Sequence, residues 1–155
     1  MMFRTHLAFA LLIGLVTMSL FNFNKYLFII IVLFAGILPD IDHPRSKIGR
    51  KLRALSVPIK FLFGHRGLFH SLFMAAILSL FIWFFFDRWW IPFFIGYSSH
   101  LIIDGFTKLG VNFIHPFNQL HLSGFIETNG FIEKILFYTL VGCNVLIIIK
   151  NINLF

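Results

Sequence analysis

Residues 96–107, GYSSHLIIDGFT, place His100 and Asp104 inside an otherwise apolar segment of helical length. On a helix, side chains four residues apart lie one above the other, so the imidazole and the carboxylate point together into whatever that face touches. At bilayer depth such a pair costs several kcal/mol unless it is partnered, which makes it a functional-site candidate. Two readings follow from the spacing: the pair shares one ion, or a neutral imidazole hydrogen-bonds its own carboxylate and fixes a helix contact.

The surrounding composition says what kind of segment this is. The chain of 155 residues is 59% hydrophobic and only 12% charged, with a mean hydropathy of +0.90, outside the range of soluble domains. The apolar runs are continuous rather than alternating, which excludes barrel strands and leaves spanning helices. The expected fold is all-α, a polytopic membrane bundle of about five helices forming a single domain over residues 1–155. One cysteine, Cys143, excludes a disulfide framework and a Cys-rich zinc motif, so any metal must be held by His and carboxylate. The formal charge of +7 reads in a membrane chain as a topology signal, and nucleic acid is not expected as a partner.

Five apolar runs follow, at 7–23, 26–38, 68–86, 89–106 and 131–149. The first lies behind Arg4 but lacks a small-x-small cleavage site after it, so it reads as a retained helix rather than a signal peptide. The second covers only about 20 Å at 1.5 Å per residue, so its end at Pro39 and Asp40 is expected to sit recessed below the membrane surface. Trp83, Trp89 and Trp90 cluster around Asp87 and Arg88 as an interfacial aromatic belt does. With five spans, the N-terminus and the loops 40–67 and 105–130 share a side carrying most of the Lys and Arg. The opposite side has Lys25, Arg88 and Lys150. The positive-inside rule then puts the N-terminus and the basic side in the cytoplasm.

The ionisable residues crowd onto that same side. In LPDIDHP, 38–44, Asp40 and Asp42 flank one residue at a helix end, and two carboxylates so close favour a cation; the alternative is a solvated turn between Pro39 and Pro44. In GHRGLFHS, 64–71, His65 precedes and His70 falls within the first turn of the third helix, where neutral imidazole, the metal-binding form, is favoured. Arg66 offers a planar fork for a phosphate or carboxylate, or else snorkels to the interface. Glu133, in the first turn of the fifth helix, and His6 are outer ligand candidates, each with an ordinary helix-start role as the alternative. His43, His115 and His121 carry no pattern. Between the clusters, 45–63 places Ile48, Leu52 and Leu55 at helical spacing against Lys47, Arg50, Lys51 and Arg53, as in helices that lie on anionic lipid, and also serves as a topology determinant.

The order PDIDH, HRG-x-x-HS, then GY-x-SHL-x-x-D followed by Thr and Gly, closing on TNG-x-x-E, resembles the YdjM-like family of membrane-bound, metal-dependent hydrolases. That family is also described as LexA-binding inner-membrane proteins. The resemblance covers the chain from His6 to about Glu133. More distantly, the His-x-x-x-Asp pair in a helical setting looks like the zinc-dependent phospholipase C and nuclease superfamily. Together these imply an inner-membrane phosphoesterase and, by the family's description, a protein regulator as a further partner.

The expected site is therefore a metal shell of Asp40, Asp42, His65, His70, His100 and Asp104, with His6 and Glu133 outside it. More than four ligands suggest more than one divalent ion, zinc foremost and manganese or magnesium otherwise. Asp40, Asp42 and Asp104 would serve the hydrolytic water, and Arg66 the substrate's anionic group. A lipid-linked phosphate or phospholipid suits a recessed site facing one leaflet. A non-catalytic metal-binding regulator or scaffold is the competing class; a small ion transporter is less favoured, because the far half of the membrane holds no ionisable path.

Overall fold

The computed structural model describes residues 1–63, 67–117 and 120–150. Its helices are α1 (Phe3–Thr17), α2 (Lys25–Ala35), α3 (Lys47–Lys51), α4 (Arg53–Phe63), α5 (Leu72–Phe86), α6 (Trp90–Gly105) and α7 (Phe131–Lys150). Five of them, α1, α2, α5, α6 and α7, correspond to the five apolar runs and form a membrane helix bundle. Among the described residues, three stretches are long and apolar enough to cross a membrane: Phe3–Leu20, Leu72–Gly105 and Phe131–Lys150. The middle stretch folds back on itself. Asp87 breaks it at a positive φ of 52°, and Ala75, Met74, Leu78 and Ile82 of α5 pack against Phe93, Phe94, Tyr97 and Leu101 of α6.

Helix α6 is the centre of the bundle because its faces are matched to three neighbours. Gly96 is the contact with α2: a Cβ there would lie 2.2 Å from the Val32 carbonyl oxygen. On α2's own end, a Cβ on Gly36 would lie 2.7 Å from the Ala10 Cβ of α1. Small residues thus let three backbones approach, as membrane helices require when lipid is as apolar as the packing surface. Ala10, Leu15, Met18, Phe28 and Val32 fill the contact of α1 with α2, and Ala8, Ile103 and Leu140 join α1, α6 and α7. The buried Asn144 amide of α7 donates to the Ala8 carbonyl at 2.9 Å, a polar tie inside an apolar contact. The outer surface is aromatic: Phe81, Phe84, Phe85 and Phe86 all stand exposed, Phe84 at 79%. Only lipid makes that surface tolerable.

Helix α2 has 11 residues, which bears out its reading as a short run. It ends at Gly36 and passes into a 3-10 turn, Leu38–Asp42, with Pro39 near its start. The third helix begins later than its apolar run. Ser71 caps α5 by accepting from the Met74 amide, so His70 lies in a preceding 3-10 turn, Leu68–His70, rather than in the helix's first turn. After α6, a two-residue antiparallel ladder pairs β1 (Val111–Asn112) with β2 (His121–Leu122). The Leu72 amide donates to the Phe113 carbonyl in this excursion, tying the start of α5 to the end of α6.

Candidate metal centre

The chain direction alternates through the five apolar helices, so the starts of α1, α5 and α7 meet the ends of α2 and α6 at one end of the bundle. His6 comes from the first turn of α1, Asp40 and Asp42 from the turn after α2, His70 from the turn before α5, and His100 and Asp104 from the last turns of α6. His6, His70, His100, Asp42 and Asp104 are all buried, and Asp40 is half-buried.

Asp104 is the hub. Its Oδ1 lies 3.4 Å from His6 Nε2, and its Oδ2 lies 3.7 Å from His70 Nε2 and 3.8 Å from His100 Nε2. Asp40 Oδ1 lies 4.0 Å from His100 Nε2. The His6 and His100 rings stack at 3.8 Å and 5° between planes, and His70 meets His100 edge-on at 5.2 Å. The Met1 amino group also reaches Asp104 Oδ1, at 2.6 Å. Among the described residues two triads of donors result: His6, His100 and Asp104, and Asp40, His70 and His100.

The orientation of two rings is fixed from behind. His100 Nδ1 donates to the Gly36 carbonyl at 2.8 Å, and a carbonyl only accepts, so Nε2 carries the lone pair. His70 Nδ1 bonds Asp42 Oδ2 at 2.8 Å, the carboxylate–histidine arrangement that orients metal ligands. His100 Nε2 is buried with no hydrogen-bond partner, as are both ring nitrogens of His6. These distances to carboxylate oxygen are too long for hydrogen bonds; that of His6 is close to the roughly 3.3 Å ligand separation of a tetrahedral zinc site, and those of His100 are somewhat longer. The donor set therefore fits a divalent ion. Because His100 has one available nitrogen, it serves one ion only; a second ion beside His6 would have to share the Asp104 carboxylate.

Several expected ligands take other places. Asp42 faces the back of His70 and stands behind the triads rather than in them. Glu133 is buried but outside both: its two oxygens accept from the Met2 and Asn129 amides, each at 2.6 Å, clamping α1 to the start of α7. His6, an outer candidate by sequence, stands at the centre. His65 and Arg66 lie outside the described residues. His43 Nδ1 accepts from the Arg45 amide, and His121 bonds the Leu109 carbonyl. A cavity of about 540 Å³ opens beside Asp40, and Arg4, Arg45, Lys47 and Arg50 line it. Sequence reasoning counted these cations toward topology and the interfacial segment; the signal it passed over is the position of Arg45, Lys47 and Arg50 directly after the PDID carboxylates.

Residues 1–153 match the family described as YdjM inner membrane protein. The chain belongs to that family. Within it, the inner membrane protein YdjM of Escherichia coli K12 is 41% identical over 89 residues, covering 52% of this chain and 44% of the relative. The protein of the same name from Shigella flexneri matches with the same figures. The uncharacterized protein YvsG of Bacillus subtilis 168 is 36% identical over 118 residues, covering 70% of this chain and 71% of its own length. The match thus spans under half the length of the two YdjM relatives. No solved structure matches. Membership makes this an inner-membrane family protein, consistent with the apolar bundle, while the names of its relatives specify no reaction.

Proposed function

We propose that the protein is a membrane-bound, metal-dependent hydrolase of a phosphoester, acting on a phospholipid or lipid-linked phosphate at the cytoplasmic leaflet of the inner membrane. The observation that carries this reading is the convergence of the His6, His70 and His100 Nε2 atoms on Asp104 beside a half-buried Asp40 that opens to a cavity. His6, His70, His100, Asp40 and Asp104 would hold the ion or ions, and Asp42 and the Gly36 carbonyl fix two of the imidazoles. A divalent ion, zinc foremost and manganese or magnesium otherwise, would supply Lewis acidity and bring the pKa of a water toward about 7. Asp40, the one carboxylate that lines the cavity, would orient that water or take its proton. The N-terminal side, where the basic residues gather, would face the cytoplasm.

The complete burial of His6, His70, His100 and Asp104 favours one competing reading, a closed and non-catalytic metal centre in a regulatory or scaffold protein. Purified protein assayed for metal per chain and for hydrolysis of bis(p-nitrophenyl) phosphate and its monoester separates the two. His100→Ala and Asp104→Asn are expected to lose metal and turnover together. Full metal occupancy in both variants removes the site, and metal without turnover of either ester selects the closed centre.

A further inference from the structure

Among the described residues the cations around the cavity form no ion pair, although the Asp40 carboxylate lines the same cavity. The chain has six acidic residues. Asp40, Asp42 and Asp104 belong to the imidazole cluster, Glu133 is held by two amides, Glu127 pairs with Lys108, and Asp87 sits in the hairpin turn at the other end. Among the described residues none makes an ion pair with Arg4, Arg45, Lys47 or Arg50, though Arg4 lies over the Phe137 ring and Lys47 over the Phe3 ring. Four cations against the one carboxylate of Asp40 leave the cavity net positive, which favours entry of an anion. Guanidinium groups match phosphate oxygens two at a time.

A second cavity of about 640 Å³ adjoins the first and shares Phe3, Lys47 and Arg50 as its wall. Its remaining lining adds Ile37, Ile48 and Lys51, so Phe3, Ile37 and Ile48 give it an apolar wall facing a cationic one. Just beyond, α4 presents Leu55, Phe61 and Leu62 to the exterior, Phe61 at 88% exposure, beside Arg53 and Lys60. Such a helix is stable against anionic lipid rather than against water.

We propose that these joined cavities bind an amphiphilic phosphate, its head among Arg4, Arg45, Lys47 and Arg50 next to Asp40, and its apolar part along Phe3, Ile37 and Ile48. This rests on the hydrolase reading for what happens to the head, but the binding stands on the cations and the groove alone. Free phosphate shares the head chemistry and lacks the tail.

Native mass spectrometry of the full chain in neutral detergent tests it, with dioleoyl phosphatidate, dioleoyl phosphatidylcholine and inorganic phosphate as probes. Phosphatidate is expected to bind at least about tenfold more tightly than either other probe. Arg45→Gln with Arg50→Gln should weaken phosphatidate by about tenfold or more, and Ile48→Ser should weaken phosphatidate while leaving inorganic phosphate unchanged. Unchanged helical circular dichroism of these variants reports that they are folded. Inorganic phosphate binding as tightly as phosphatidate overturns the amphiphile, and phosphatidate binding indifferent to the arginine pair overturns the site. His100→Ala separates the two proposals: it is expected to lose metal yet keep phosphatidate, so a failed metal centre leaves this result intact, and the reverse.

Discussion

The two ends of the bundle are built from the same five helices and the same lipid-facing aromatics, yet they hold opposite chemistry. At one end the helix termini bring together three histidines and three aspartates, mostly buried. At the other, Phe21, Phe23 and Phe28 pack on one another, Trp89 meets Phe23 at 4.8 Å, and Arg88 lies over the Phe23 ring at 5.1 Å. Between them α6 carries no Asp, Glu, His, Lys or Arg from Trp90 to Ser99. A bundle needs only apolar packing to stand. Among the described residues the buried ionisable groups gather at one end, where burial costs each of them free energy that partners such as Asp42 on His70 and two amides on Glu133 offset.

The largest effect that would break this contrast is at His6. His6→Ala is expected to lower metal affinity by more than about a hundredfold, beyond the usual cost of losing an outer partner. With two ions sharing Asp104, the metal count per chain falls by one while the His70 and His100 ion stays, which elemental analysis reads directly. Asp42→Asn removes the carboxylate behind His70 and should cost about 10–100-fold in metal affinity, measured by chelator competition, with the helical circular dichroism unchanged. Gly96→Ala acts through the crossing of α2 and α6: the new methyl meets a carbonyl, and thermal unfolding in detergent should show a loss of about 1–3 kcal/mol. Arg88→Ala at the far end removes a cation–ring contact worth about 0.5–1 kcal/mol and should leave metal content untouched. Least of all, the exposed pair of Lys108 with Glu127 holds that carboxyl below its usual pKa through the side-chain hydrogen bond and the neighbouring charge. Its small contribution is present above the ordinary carboxylate range and fades as pH falls through the lowered value. Lys108→Gln should return the Glu127 titration, followed by carboxyl NMR, to the ordinary range.

The sequence disclosed the bundle because continuous apolar runs have one physical solution in lipid. It disclosed the His100 and Asp104 pair because a four-residue interval fixes a shared face whatever surrounds it. The long-range choices were not readable. His6 meets Asp104 across nearly two thirds of the chain, and no local pattern marks such a partner. Asp40 and Asp42 are equivalent as letters, but the 3-10 turn aims Asp42 at His70 and leaves Asp40 toward the cavity. Glu133 looked like a ligand for the same reason it makes a good clamp: a buried carboxylate needs donors, and two main-chain amides supply them. The hairpin at Asp87 was legible from the charges and tryptophans between two apolar runs.

The bond from His100 to the Gly36 carbonyl carries a last consequence. Most orienting partners are side chains, which a single substitution can delete or exchange. Here the partner is main chain, present whatever residue occupies position 36, so this imidazole can be re-aimed only by moving one helix relative to another. The spacing set where Gly96 passes Val32 therefore doubles as the alignment of the centre, and a substitution a full turn away from any donor atom is felt there as a misdirected ring.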